Sequence, residues 1–386
     1  MIWSSSVGAV SLEEMIKISW QKSELIKAQK SQYEIVAGDR WRRFFPLEPQ
    51  IFYLNSDDDT ARSLGLNLTT GYPFKTFLLT GLDAAKENIE KAEVTAKKYD
   101  LSVALTGLYL DCAVATQSAL VQQKTIDDIE TTSRLLKALY ESGLATQAEN
   151  ISSQLQIRQA QLDLATLQDK AAVACQKLDY VMSDLDVADH EVVLPDNLEN
   201  EFISELGNHP ASFERANAAI SLAKANYDVA GWQQLPDINL SYQKNDYPYL
   251  PASPSGKPSA STYGIAMTLP LFFPLRETIE INRNQNQAIL DQKSAELELL
   301  RADAEIKQAI KEYQRNKKRL KEIREKDIPL ATALVESTYS AYKAGKLGFA
   351  ELVLSRKTLS DLRLQDIQLR SAIVLNHLKC LNQCEE

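Results

Sequence analysis

Tyr140, Gly143, Ala148 and Glu149 recur as Tyr342, Gly345, Ala350 and Glu351, each 202 residues after its counterpart. Any fold for this chain must therefore accommodate two similar halves. Each copy reads as a proline-free helical run, a Tyr-x-x-Gly break, and a second helical run that opens with a carboxylate. That is a helical hairpin with a marked tip, and a period this long is a duplicated domain, not a solenoid of short units. The expected halves are residues 11–184 and 211–386, joined by a linker over 185–210, with the tips at 140–149 and 342–351.

Proline placement fixes where long helices can lie. None of the 13 prolines falls between Pro73 and Pro195, and only Pro329 falls between Pro274 and the C-terminus. Because proline inside a helix costs roughly 3 kcal/mol, the runs Pro73 to Gly143 and Pro274 to Gly345 are the helical stretches. At 1.5 Å per residue, about 70 residues reach on the order of 100 Å.

The net charge of −9 argues against a nucleic-acid partner, which would need clustered cations. The densest basic run, Lys311 to Lys326, is interleaved with Glu312, Glu322 and Glu325, the pattern of a solvated helix face. No stretch approaches the roughly 18 to 20 apolar residues of a membrane-spanning helix. The start, Met1 to Ser6, lacks the charged and apolar regions of a signal peptide. The expectation is a chain with neither a transmembrane helix nor a leader.

Ser11-Leu12-Glu13-Glu14 is a capping box, so a helix starts at Leu12 and runs to about Arg43, before Phe44-Phe45-Pro46. The pattern then changes to a period of two, with Leu64, Leu66 and Leu68 alternating against Gly65, Asn67 and Thr69. This predicts a β-hairpin over about 50–70, turned by Asp57-Asp58-Asp59. The second half repeats it over about 237–271. Ile238, Leu240 and Tyr242 alternate on one strand and Tyr263, Ile265, Met267 and Leu269 on the other, joined by a proline-rich loop. Ala211 to Trp232 replays the first helix. The return helix of the first copy keeps a heptad seam: Ile157, Leu164, Ala171 and Leu178 at one position, Ala160, Leu167, Ala174 and Val181 three later. In the second copy Asp366 interrupts the equivalent seam.

Four short, two-faced strands with open edges do not make a stable sheet alone. One solution is a barrel closed between chains, with Leu64, Leu66, Leu68, Ile265, Met267 and Leu269 facing lipid and the small polar row facing water. A soluble sandwich with one buried face is the other. Aromatics at the strand ends, Phe44, Phe45, Tyr72, Phe74, Trp232, Phe272 and Phe273, suit either a membrane belt or a core.

The order of these phrases resembles the TolC-like outer-membrane efflux protein family over roughly residues 11–382. The phrases are Ser11-Leu12-Glu13-Glu14, Leu235-Pro236-Asp237-Ile238-Asn239-Leu240-Ser241-Tyr242, Tyr140-Glu141-Ser142-Gly143-Leu144 and Tyr342-Lys343-Ala344-Gly345. The resemblance implies a mainly α fold with a small β part: a trimeric α-helical barrel capped by a shared 12-stranded transmembrane β-barrel. It implies a homotrimer in outer-membrane lipid and periplasm that serves as a passive exit duct. Its tips would dock a periplasmic adaptor joined to an inner-membrane pump. The docking tips would be Tyr140, Gly143, Leu144, Tyr342, Gly345 and Leu347, which also suit an ordinary interhelical turn. Glu149 and Glu351 fall where the family carries pore-constriction acids; a ring of them would favour cations and raise their pKa values. Both also read as helix-start glutamates favoured by the helix dipole. A second acid three residues on is missing, since Ser152 and Leu354 stand there.

Cys112 lies 31 residues before Gly143 and Cys175 lies 32 after it, so they fall opposite one another in a regular hairpin. A disulfide and a pair of buried thiols both fit. Cys380 and Cys384 are poorly placed to pair on a continuing helix. His190, His209 and His377 show no ligand spacing, and no nucleotide, metal or catalytic motif is present, so neither an enzyme nor a cofactor is expected. The competing reading is a soluble periplasmic coiled-coil scaffold or adaptor-like protein. An adaptor would need a lipoyl-like β-rich segment beside its hairpin, and none is evident.

Overall fold

The long proline-free runs and the two alternating segments become helices and strands in the computed structural model. It describes residues 12–43, 48–55, 62–70, 73–143, 145–184, 192, 194–195, 210–232, 238–247, 259–267 and 275–384. Ser11, Phe44 to Pro46, Asp57 to Asp59, Leu235-Pro236, Leu269, His190, His209, most of the 185–210 linker and the proline-rich loop over 248–258 lie outside them. So do Tyr72, Phe272, Phe273 and the side chain of Phe74.

The first repeat gives α1 (Leu12–Lys22), α2 (Glu24–Arg43), β1 (Glu48–Asn55), β2 (Arg62–Thr70), α3 (Pro73–Glu141) and α4 (Gln147–Asp184). The second gives α5 (Ala211–Ala230), β3 (Ile238–Asp246), β4 (Ser259–Met267) and α6 (Leu275–Glu322), then a π-turn (Ile323–Asp327). After it come α7 (Ile328–Lys343), α8 (Phe349–Cys380) and a 3-10 turn (Leu381–Cys384). The helix expected over 12–43 is interrupted at Ser23, although the Ser23 N–H still reaches the Ser19 carbonyl at 2.9 Å.

The run expected as one helix from 274 to 345 is split by the π-turn, and Pro329 supplies the cause. A proline has no N–H to donate and its ring crowds the carbonyl four residues back, that of Glu325. A wider turn relieves both, with the Ile328 N–H reaching the Ile323 carbonyl five residues earlier. Asp366, read as a break in the seam of α8, receives both Nε and Nη2 of Arg324 from this turn.

Contacts divide the chain into two compact units that cut across the repeats: 1–26, 97–210 and 302–386 in one, 27–96 and 211–301 in the other. The first unit holds both hairpin tips. Its largest core joins Leu12, Met15, Ile16 and Trp20 of α1 with Leu105, Leu110 and Ala113 of α3, Leu178 and Met182 of α4, and Val374 and Leu378 of α8. The heptad seam of α4 is its packing face: Ala160 and Leu178 are buried, and Ile157 and Leu164 close on Ile126 and Ile129 of α3. Contrary to expectation, α3 contains an 18-residue window with mean hydropathy 1.2 and at most two charges, enough by length and composition for a membrane span. The apolarity has a packing origin, because this helix supplies Leu105, Tyr109, Leu110 and Ala113 to the core.

Cys112 and Cys175 face one another inside this core, with Cα atoms 4.7 Å apart and their sulfurs paired. Cys380 and Cys384 come close together at the end of α8, where a persisting helix was expected. The helix does not persist: Leu381 takes φ +48° and folds the last turn back, leaving the Cα atoms 5.5 Å apart.

The second unit holds the sheet. Its helical part carries acids of α3 toward α2, with Arg40 on Glu87 at 2.7 Å and Gln29 on Glu90 at 2.8 Å, and toward α5, with Arg215 near Glu93 at 3.9 Å. Alanines at seven-residue intervals, Ala216, Ala223 and Ala230 in α5 and Ala288 and Ala295 in α6, are all buried. Small side chains in a heptad row let helices approach closely.

Candidate functional site

Two features of the described residues carry the functional reading: the sheet and the paired tips. The sheet has the order β1-β2-β3-β4, antiparallel throughout, so the two hairpins join through β2 and β3 while β1 and β4 remain edges. Register fixes its faces. Ile51, Leu66, Tyr242 and Tyr263 stand in one cross-strand row, and Pro49, Leu68, Leu240 and Ile265 in the next. The other face carries Gln50, Asn67, Ser241 and Gly264 in one row and Phe52, Gly65, Gln243 and Thr262 in another. Thr69 donates to Asn239 at 2.8 Å and Ser63 to Asn245 at 2.7 Å across β2 and β3 on that polar face.

Among the described residues nothing covers the apolar face. Ile265 is 80% exposed, Tyr263 79% and Ile51 76%. Exposed apolar faces of this kind mark interaction surfaces.

At the tips the repeat is visible in atoms. Gly143 has φ +76° and Gly345 φ +68°, values that side-chain-bearing residues rarely adopt. Each glycine N–H reaches the carbonyl of the tyrosine three residues earlier, at 3.0 Å for Tyr140 and 2.9 Å for Tyr342. At the second tip the Lys346 N–H also reaches the Ala341 carbonyl at 2.9 Å, completing a Schellman turn. Leu144 lies outside the described residues.

The two tyrosines then diverge. Tyr140 is 39% exposed, whereas Tyr342 is buried with Leu136, Phe349 and Leu352 in a cluster that joins the second tip to α3. Tyr342 therefore holds the two tips together and offers no free surface. Its hydroxyl finds no hydrogen-bond partner among the described residues, and burial, with the nearby Glu149 charge, pushes its pKa up to about 12. Gly143, Gly345 and Leu347 remain at the surface.

Glu149 closes a capping box that the sequence reading passed over, Thr146-Gln147-Ala148-Glu149. Its carboxylate accepts from the Thr146 N–H and hydroxyl, both at 2.9 Å, while the Glu149 N–H donates to the Thr146 hydroxyl at 3.3 Å. The Thr146 N–H is the main reason its pKa is lowered, opposed by partial desolvation and helped by the Thr146 hydroxyl and the Phe349 N–H. In the single chain the shift is thus opposite to the one expected from a ring of acids. Glu351 occupies the equivalent third helical position, its carboxylate folded over Gly348, but Gly348 offers no side-chain cap.

Below the tips a repeated serine pins each hairpin. Ser153 and Ser355 are buried, Ser153 sharing a 3.1 Å contact with Ser133 and Ser355 a 2.8 Å contact with Thr338. The 202-residue offset relates them and could have revealed them. Between hairpins, Thr125 meets Ser360 at 3.0 Å, and the Arg356 guanidinium donates to the Asp128 carbonyl. Burial lowers the Arg356 pKa, opposed by Asp128. No His, Cys, Asp and Glu grouping suited to a metal ion occurs among the described residues.

The fold has solved counterparts. It aligns with the outer membrane protein VceC of Vibrio cholerae at TM-score 0.74 and 16% identity, covering 97% of this chain and 95% of that one. CusC, described through its folding and transmembrane channel formation, aligns at TM-score 0.73 and 13% identity over 96% and 90%. The open-state outer membrane channel MtrE of Neisseria gonorrhoeae aligns at TM-score 0.70 and 13% identity over 96% and 88%. No family model matches the sequence. No curated protein matches it either. At these identities the likeness is one of fold, and that fold is the TolC-like one of outer membrane channels.

Proposed function

We propose that this TolC-like chain is the outer-membrane exit duct of a tripartite efflux or secretion system, a conduit and not an enzyme. The observation that carries the reading is the sheet. It has one apolar face left bare and two unpaired edges, in a chain whose fold aligns end to end with outer membrane channels. Three chains would each lend four strands to one twelve-stranded barrel, β4 of one protomer pairing with β1 of the next. Closure removes the edges, turns Ile51, Leu66, Tyr263 and Ile265 to lipid, and leaves the Asn, Ser and Gln rows to water.

The helical hairpins would line the route on the periplasmic side. A second apolar stripe on α4, with Leu155, Leu162, Val173 and Tyr180 exposed, supports a neighbouring protomer there. Tyr140, Gly143, Leu144, Gly345 and Leu347 would meet a periplasmic adaptor coupled to an inner-membrane pump. Glu149 and Glu351 would stand near the pore axis as an acidic ring favouring cations. Energy would come from the pump.

The test replaces Gly143 and Gly345 together with valine, which is strained at positive φ by roughly 1–2 kcal/mol at each site. Light scattering in detergent is expected to give the mass of three chains for parent and variant, while the variant loses export in cells. A detergent-free monomer overturns the reading, and normal export by the variant overturns the docking role of the tips.

A further inference from the structure

The polar face of the sheet breaks its own pattern at one place. Its described positions are Asn, Gln, Ser, Thr, Gly or Ala on β2, β3 and β4, but β1 presents Phe52 and Leu54. Phe52 pairs with Gly65 in the register of β1 and β2. Gly65 is buried and Phe52 half-buried. A β-carbon built on Gly65 would clash with the face of the Phe52 ring at its tip, with Cζ, Cε1 and Cε2 the atoms it meets. The ring therefore lies flat across β2 instead of standing off the sheet. Gly65 has no positive φ to explain it; it is needed for space, as glycine is where another group must approach the backbone.

We infer that Phe52 sets the clearance of the barrel and that Gly65 is the positioning residue that keeps the ring against the wall. The inference rests on the barrel reading of the proposed function. Three-fold symmetry puts three copies of Phe52 at one level of a lumen whose β2, β3 and β4 positions are small or polar, with Leu54 the other large apolar residue on β1. With the rings flat, the wall stays open and offers three apolar plates along which aromatic or amphipathic cargo can slide. With the rings upright, the same residues narrow the passage.

The experiment is single-channel conductance in planar bilayers for the parent, Gly65→Val, Phe52→Ala and the double variant. Gly65→Val is expected to push the rings into the lumen and lower conductance about two-fold. Phe52→Ala is expected to keep or raise the parent value, and the double variant to regain it. Parent-like conductance of Gly65→Val, or a double variant as low as Gly65→Val, overturns the inference.

A second measurement does not depend on the tips being open. Tryptophan fluorescence of Phe52→Trp, read against the parent, is expected to be quenched by aqueous iodide and spared by brominated lipid, with Ile51→Trp behaving oppositely. If Ile51→Trp responds to lipid and Phe52→Trp does so too, the assignment of Phe52 fails while the barrel stands. If neither responds to lipid, the barrel reading fails and the inference with it.

Discussion

Thr146 and Glu149 satisfy each other's groups at the start of α4, and this single pair decides how well the first tip holds its return helix. Because the folded pKa of Glu149 is lowered, its contribution is present above the unfolded pKa and is lost as pH falls through the folded one. Thr146→Ala removes the hydroxyl that caps the helix, a change worth about 1 kcal/mol. Amide exchange at the first turn of α4 is expected to quicken about five-fold at neutral pH, with a smaller difference in acid once Glu149 is protonated. Unchanged exchange would return the capping box to a passive contact. The second tip lacks this cap, since Gly348 stands where Thr146 does and offers no hydroxyl. The same asymmetry separates exposed Tyr140 from buried Tyr342. Identical letters in two copies thus carry different tasks, one outward and one inward, because only the second tyrosine has α3 to pack on.

At the scale of elements, each hairpin is tied together at one level by different chemistry. Cys112 and Cys175 flank Gly143 at 31 and 32 residues, and Tyr313 and His377 flank Gly345 at 32 each. The first pair is joined through sulfur; the second stacks its rings with centroids 5.5 Å apart. The extra residue before Gly345 matches the π-turn, which inserts one position into that helix. Closing a loop with a sequence separation of 63 is worth up to about 4 kcal/mol on chain-entropy grounds. Replacing both Cys112 and Cys175 with serine is therefore expected to cost about 2–4 kcal/mol of stability, read as a lower guanidinium midpoint. Reductant should lower the parent's midpoint to meet the variant's, and no change in either would mean free thiols.

Proline gaps, the alternating strands and the Tyr-x-x-Gly tips were legible because each follows from a local rule about backbone or periodicity. The capping box at Thr146 obeyed such a rule too. What could not be read was set by neighbours distant in sequence. Arg324 meeting Asp366 needed the π-turn, and the burial of Tyr342 needed α3; the approach of Cys380 to Cys384 is local, but no letter announces that Leu381 leaves the helical region. The alanine rows of α5 and α6 are periodic in the sequence, but no periodicity says what a small residue packs against.

For the whole molecule, the deciding question is what covers the apolar face of the sheet. Ile265 is 80% exposed on the isolated chain. In a water-soluble scaffold such a residue tolerates a charge, because exposed substitutions usually change stability by no more than about 0.5 kcal/mol. In a lipid-facing barrel wall the same lysine costs about 2–4 kcal/mol near the bilayer midplane, in each of three protomers. Ile265→Lys is therefore expected to cut the amount of heat-resistant trimer recovered from outer membranes several-fold. The control is Asn67→Lys, which puts the same charge on the opposite face and in the proposed barrel meets water; its trimer yield should follow the parent. Equal recovery of both variants would mean that lipid does not meet Ile265 and would favour the soluble scaffold. A loss confined to Asn67→Lys would mean that the sheet is closed with its faces reversed, an arrangement that buries its asparagine and glutamine rows against hydrocarbon at several kcal/mol for each unsatisfied group.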